Sequence, residues 1–355
     1  MFSSLRTCGM QWPTVTVMTA CGPAQAIAPA VISASRATDI PAFYAPWFFN
    51  RLQAGHLLWT NPFNRRPQHV ALTRARALVF WSKNPAPLLP FLSLPAEKGM
   101  ACVLHFTLND YEDEGWEPHL PPLEQRVETF RRLARLLGPE RLVWRFDPLL
   151  LAGHLAHAPD ACKLLLDKVE RVGRAIVGCT RTLIFSFADI ADYRKAQCSL
   201  RRNGLAWRDF TLPETAFVAQ GMARIAASLG MQARACGEAT DLAAWGVARA
   251  ACLDPELLLR ATGRHPDMLQ TAGAHLPSLP GLPPARGFRR DRGQRPHCRC
   301  LPAKDVGQYD TCPHGCVYCY ATRSRQTALA RWQTHDPRAE SIAPTAHFQR
   351  RDGAS

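Results

Sequence analysis

The chain has 355 residues, 47% of them hydrophobic and 20% charged, a balance that excludes wholesale disorder, collagen-like repeats and long coiled coils. Its length is a prior of two domains at about 150 residues each, although a single α/β barrel can use about 250. The formal charge of +14 suits an anionic partner, but arginine outnumbers lysine 37 to 6 and alanine is abundant, as GC-rich coding produces without selection for binding, so nucleic acid is a conceivable partner and not a favoured one.

Residues 7–35 carry no charge. Pro13, Gly22, Pro23 and Pro29 interrupt this apolar stretch and leave no span of about 18 residues for a membrane helix. Residues 1–26 are expected to be a disordered or mis-started N-terminus, with no membrane involved. From there, short β-branched or aromatic runs at Val31–Ser35, Ala77–Ser82, Ala101–Thr107, Arg141–Asp147, Thr182–Phe187 and Gln232–Cys236 predict six strands. Amphipathic stretches between them predict helices. In Pro121–Leu137, Leu123, Val127, Phe130, Ala134 and Leu137 recur at helical spacing before Gly138. Asp160–Val177 opens with a candidate capping aspartate and presents Leu164, Leu165, Val169, Val172 and Ile176, and Pro213–Leu229 repeats the pattern up to Gly230.

Strands alternating with helices predict a parallel sheet, α/β and barrel-like, over 27–262. In such folds the chemistry sits at the C-terminal strand ends. There the chain places Ser35, Arg36 and Asp39, then Lys83, then Thr107, then Arg145, Ser186 and finally Cys236. Each has a bland alternative as a turn former or a salt-bridge partner, but six consecutive polar strand ends suggest a site. Residues 263–296 read as a Pro/Gly/Arg-rich linker and 297–325 as a Cys-rich segment. The last stretch, 326–355, reads as a disordered tail.

Thirteen cysteines, five of them between Cys298 and Cys319, do not form a disulfide pattern. In a reducing cytoplasm such a cluster predicts metal binding. Cys312-Pro-His-Gly-Cys316-Val-Tyr-Cys319 lets one tight loop aim three thiolates at one centre. Deprotonating each thiol at pH 7 costs about 2 kcal/mol from a pKa near 8.5, which metal ligation more than offsets. Three thiolates suit a [4Fe–4S] cluster with one iron open; zinc, with a fourth ligand from Cys298 or Cys300, is the alternative. Cys236, Cys252, Cys298 and Cys300 are a possible second metal site, iron–sulfur or zinc, if folding brings them together.

CPHGCVYCYA resembles the cluster loop of radical S-adenosylmethionine (SAM) enzymes. Thr38-Asp39, Ser82-Lys83, Thr107 leading to Glu117-Pro118, and Asp147-Pro148 are similar, more faintly, to the strand-end series of the spore photoproduct lyase branch. The cluster loop, which should come first, comes last. This departure implies a circularly permuted, partial TIM-like (β/α)6 barrel, with Asp305–Thr311 inserted beside Val31–Ser35 and residues 297–325 completing it. Across roughly residues 30–322 the chain resembles the uncharacterised bacterial family DUF1848. The radical SAM resemblance implies a [4Fe–4S] cluster on Cys312, Cys316 and Cys319, with SAM chelating the open iron. It also implies an electron donor such as flavodoxin or ferredoxin, and reductive cleavage of SAM to a 5′-deoxyadenosyl radical that abstracts hydrogen from an unknown substrate. Lys83 would meet the SAM carboxylate, with Ser35, Arg36, Asp39, Thr107, Arg145 and Ser186 contacting SAM or substrate. The alternative is a non-catalytic zinc or iron–sulfur module whose basic surface binds nucleic acid.

Overall fold

The computed structural model describes residues 12–273, 288–291, 293–294 and 297–343. It opens with a hairpin in which β1 (Thr14–Thr19) and β2 (Gly22–Ile27) pair antiparallel. The unstructured start expected for residues 1–26 is thus corrected over 14–26, while residues 1–11 lie outside the described residues. Exposed and half-buried side chains alternate along β1, the period of a strand with one face against the protein.

The first strand of the main sheet, β3 (Val31–Ala34), leads into α1 (Ile40–Phe43) and α2 (Ala45–Ala54). β4 (His56–Thr60) and β5 (Pro67–Ala71) then join the hairpin in a mixed four-stranded sheet ordered β1-β2-β5-β4. Next come β6 (Ala77–Ser82), α3 (Ser93–Glu97), β7 (Ala101–Thr107), α4 (Leu123–Leu137) and β8 (Leu142–Leu149). A short pair formed by β9 (Leu151–Ala152) and β11 (Trp207–Arg208) brackets α5 (Ala161–Ala175), β10 (Thr182–Phe187) and α6 (Arg194–Arg202). The chain continues through α7 (Leu212–Ser228), β12 (Gln232–Ala235), β13 (Ala248–Arg249), α8 (Pro255–Ala261) and α9 (Pro266–Ala272), then β14 (Lys304–Asp305) and α10 (Arg325–Gln333).

The main sheet has eight strands in the order β13-β12-β10-β8-β7-β6-β3-β14, and every neighbouring pair is parallel. All six strands read from the sequence are present; the central ones are short apolar runs buried on both sides, while β12 near the edge alternates exposed or half-buried Gln232 and Arg234 with buried alanines. The segment expected to insert beside Val31–Ser35 does so, with Lys304 opposite Ile32 and Asp305 opposite Ser33. It is two residues long, not the seven of Asp305–Thr311, since Gly307 and the turn at Asp310, whose φ is +60°, end the extended run. Strand β13 at the far edge was not read from the sequence. The fold is mixed α/β around an open parallel sheet.

The two faces of the sheet differ. Leu78 and Phe80, Leu104 and Phe106, Trp144 and Phe146, and Leu183 and Phe185 share one apolar core with the large residues of α2, α4, α5 and α7. On the other face lie smaller residues, Val31, Val79, Val103, Val143 and Ile184, packed with α8, α9 and the Cys298–Leu301 segment. Strand alternation therefore puts Trp81, His105, Arg145 and Ser186 on the small-residue face, near the strand ends. Asp160 flanks the start of α5 but makes no side-chain capping bond, which corrects the expected cap. Within the expected linker, residues 266–272 are α9, while 274–287 lie outside the described residues. The expected disordered tail is corrected over 326–343. Trp332 Nε1 donates to the Phe43 carbonyl (2.8 Å), and Trp47 Nε1 to that of Ala339 (2.9 Å). Residues 344–355 lie outside the described residues.

Candidate functional site

The Cys312 loop is sewn to the first main-sheet strand by polar contacts across nearly the whole chain length. Asp305 Oδ2 accepts from Ser33 Oγ (2.8 Å) and from the Arg36 backbone N–H (2.9 Å). The Thr38 hydroxyl bonds that of Thr311 (2.6 Å) and accepts from Gln308 N–H (3.0 Å), and Tyr44 O–H donates to the Thr311 carbonyl (2.9 Å). Gly307 makes this approach possible, since a Cβ there would sit 1.8 Å from Ser35 Oγ. Gly315, at φ +76°, supplies the left-handed turn between Cys312 and Cys316 that a side chain would resist.

Asp39 is the hub of this junction. Besides capping α1 through Ala42 N–H (3.0 Å), its carboxylate accepts from Ser82 Oγ (2.7 Å) and the Lys83 backbone N–H (2.8 Å), and pairs with His314 Nε2 (2.8 Å). The histidine of the cysteine loop thus anchors the loop. Lys83 Nζ lies 2.6 Å from Glu117 Oε1 and 3.0 Å from Tyr318 Oη, and Tyr318 O–H also donates to Glu117. Asn109 Nδ2 donates to the same Oε1 at 2.9 Å. Burial by itself would lower the Lys83 pKa, but Glu117 and Cys316 outweigh it and hold the ammonium above its ordinary value. Burial would raise Glu117, yet Lys83, Tyr318 and Arg126 pull it below the usual carboxylate range. The pair is therefore ionised, buried and in contact with the loop.

The three loop thiols lie in each other's electrostatic field. Burial pushes Cys312 up to about 12, against which the backbone N–H groups of His314 and Asp39 act. Burial also raises Cys316 well above its ordinary value, opposed by Lys83. Cys319 Sγ accepts from the N–H groups of Ala321 (3.4 Å) and Thr322 (3.3 Å). Three half-buried thiols, with N–H donors aimed at the sulfurs of Cys312 and Cys319, fit a group that binds thiolates and displaces their protons. The donor set suits an iron–sulfur cluster.

The second cysteine group also converges. Cys236 Sγ is 2.8 Å from Cys252 Sγ, and the Cys300 thiol interacts with those of both Cys252 and Cys298. Hydrogen bonds from Cys236 and Cys300, aided by Arg145, hold Cys252 well below the ordinary thiol pKa. Arg145 Nη1 donates to Cys252 Sγ at 3.1 Å while its other nitrogens pair with Asp147 (2.5 and 3.1 Å).

The remaining sequence-predicted residues take distinct places. Ser35 Oγ accepts from the N–H groups of Ala37 and Thr38 (2.9 and 3.3 Å) and shapes the turn after β3. Arg36 and Arg145 both lie over Trp81, 4.8 and 5.4 Å from its centroid, and Arg36 Nη2 is buried without a hydrogen-bond partner. Ser186 donates to Asp147. Thr107 ends β7 in register with Arg145. Sequence reasoning put Glu117 only in a motif series and gave Tyr318, Asn109 and Trp81 no role. Tyr318 lies inside the cysteine motif, the one signal that pointed to it. His105, stacked on Trp81 at 4.3 Å, has neither ring nitrogen hydrogen-bonded. Burial and Arg145 push it down to about 3, so it is a neutral side chain. A cavity of about 800 Å³ on this face is lined by Arg181, Arg234, Arg260 and Arg299 with His105 and Cys252.

No helix among the described residues is long and apolar enough to cross a membrane. No curated protein matches the sequence significantly. A solved structure of an alpha-L-fucosidase candidate from Bacteroides thetaiotaomicron VPI-5482 aligns with 12% identity over 57% of this chain and 72% of its own, at a TM-score of 0.24. The family described as a domain of unknown function, DUF1848, matches residues 31–321, a span that runs from β3 through the last cysteine of the loop and holds both cysteine groups. The chain belongs to the DUF1848 family.

Proposed function

We propose that the protein is an iron–sulfur enzyme of radical SAM type, built on a circularly permuted, partial TIM-like barrel. The observation that carries this reading is the contact between the Cys312 loop and the buried pair Lys83–Glu117, from the loops after β6 and β7, made through Tyr318. A loop bearing only a structural metal would have no need of a buried ion pair reaching it from the loops after two separate strands. Cys312, Cys316 and Cys319 would hold the cluster. The bound group would supply the electron that cleaves SAM to methionine and a 5′-deoxyadenosyl radical, the electron coming from a donor such as flavodoxin or ferredoxin.

The chain's own residues orient and shield. Asp39 fixes the loop through His314 and fixes the Lys83 backbone through its N–H, so one carboxylate aligns both. Lys83 keeps its charge beside Cys316 and is the side chain suited to the SAM carboxylate, sharing it with Glu117. Phe43, 4.6 Å from the His314 ring, and Tyr318 flank the loop with aromatic surface, which would limit water access and protect radical chemistry.

The test is anaerobic purification and reconstitution with iron and sulfide. The wild type should be brown and, reduced with dithionite in the presence of SAM, should release 5′-deoxyadenosine. C316A should abolish that release. A colourless protein that binds zinc at the loop and forms no 5′-deoxyadenosine overturns the reading.

A further inference from the structure

Cys236, Cys252, Cys298 and Cys300 lie on three separate stretches of chain: the end of β12, the turn after β13, and the segment before β14. They meet on the small-residue face of the sheet, packed with Val143, Ile184, Leu253 and Leu301. We infer that these four cysteines hold a second iron–sulfur cluster, ligated by four thiolates and separate from the Cys312 loop.

Several features of the surroundings suit metal-bound thiolates. Arg145 donates to Cys252 Sγ (3.1 Å) and the Leu253 N–H to Cys300 Sγ (3.3 Å), the donor types that stabilise metal-bound sulfur. The Arg36 guanidinium faces Cys300 and Cys252 with its Nη2 buried and unpartnered. Asp305 offsets part of that charge, and the thiols of Cys300 and Cys252 are among its other acidic neighbours. A cluster carrying four thiolates is a net dianion, and two guanidiniums, Arg36 and Arg145, lie beside it, each also facing a carboxylate, Asp305 and Asp147.

The four sulfurs run as a chain of contacts, Cys236 to Cys252 to Cys300 to Cys298, with its ends apart. Tetrahedral zinc with bonds of about 2.3 Å draws every pair of sulfurs to about 3.8 Å. Among the described residues no three of these sulfurs lie within 4.8 Å of one another. A cubane separates its ligands by an inorganic core and accommodates such a spread. The Cys236–Cys252 contact must open by side-chain rotation for either metal. The two cysteine groups meet at Arg36, whose carbonyl accepts from Tyr320 O–H (3.1 Å), next to Cys319.

The experiment counts iron and acid-labile sulfide, with EPR of the reduced protein, after anaerobic reconstitution of the full chain. The wild type should hold about eight irons, C298S/C300S about four, and the triple variant C312A/C316A/C319A about four with SAM no longer perturbing the signal. C236S, altered at the end of β12, must show the same loss of iron, so the test survives if the double variant does not fold. Full iron content in folded C236S or C298S/C300S overturns the inference, as do stoichiometric zinc at this group or a Cys236–Cys252 disulfide in anaerobically isolated protein. The readout separates the two proposals. Wild type with four irons, all lost with the triple variant, removes the second cluster and leaves the first, whereas four irons lost only with C298S/C300S does the reverse.

Discussion

At the scale of single residues, Glu117 carries the heaviest burden at the candidate site. Its side chain is 3% exposed and Lys83 17%, so water compensates neither charge well. Replacing Glu117 with Gln should leave the ammonium buried beside a neutral amide and destabilise the protein by about 3–5 kcal/mol, the range for breaking one partner of a buried pair. Calorimetry of E117Q against a K83M/E117Q double variant checks this, and the double variant should recover much of the loss. Neither partner could be assigned to the other from sequence. Thirty-four positions separate them, and only the placement of β6 beside β7 brings the loops after these strands together. Lys83 itself was legible, because a lysine at a strand end is a recognisable position whatever it meets.

At the scale of elements, β14 decides where the cysteine loop goes. With only two residues paired to β3, it depends on the close approach at Gly307. G307A should therefore cost about 1–3 kcal/mol, as overpacking does, and should lower iron incorporation more than it lowers the melting temperature. S35A in the same chain should rescue only part, since the Ser35 Cβ would remain 2.6 Å from the added methyl. Helix α7 offers a cleaner probe away from the site. Thr211 and Glu214 form a reciprocal capping box, and Arg208 pairs with Glu214 at 2.6 Å. That arginine, despite partial burial, holds the Glu214 pKa down to about 2 from an ordinary 4.5. The folded pKa is lower, so the contribution to stability is present above pH 4.5 and is lost as pH falls toward 2. In urea titrations, E214Q should show a flatter stability profile across that window than the wild type, and T211A should lose about 1 kcal/mol at neutral pH.

For the whole molecule, the C-terminal stretch acts as a strap across the N-terminal third. Besides the Trp47 and Trp332 bonds, Leu58 N–H donates to the Glu340 carbonyl (2.8 Å), and the Glu340 carboxylate meets His56 at 3.2 Å. His56, His69 and Glu340 gather their donor atoms within 4.8 Å. Truncation after Arg323 removes the Trp47, Leu58 and Trp332 bonds, at about 1 kcal/mol each, and uncovers the Trp47 side chain. Roughly 3 kcal/mol of lost stability is expected, with faster proteolysis near α2 read by mass spectrometry. The sequence hid this strap, because its apolar content is sparse and two of its three anchoring groups, at Ala339 and Glu340, are backbone carbonyls that any segment could offer.

What the amino-acid order determined by itself was local. Buried runs such as Ala77–Ser82 and Ala101–Thr107 can only be strands with both faces covered, and Leu123–Leu137 shows its helix through the spacing of Val127, Phe130 and Leu137. The CxxxCxxC spacing likewise put three thiols on one short loop. The tertiary structure decided what such patterns cannot encode: that Cys236, Cys252 and Cys300 meet, that Lys83 is neutralised by Glu117, and that Thr38 binds Thr311. These are contacts between residues distant along the chain. Their energies depend on how parallel strands are ordered in one sheet, and that order is set by burial summed over the molecule, not by any single stretch of it.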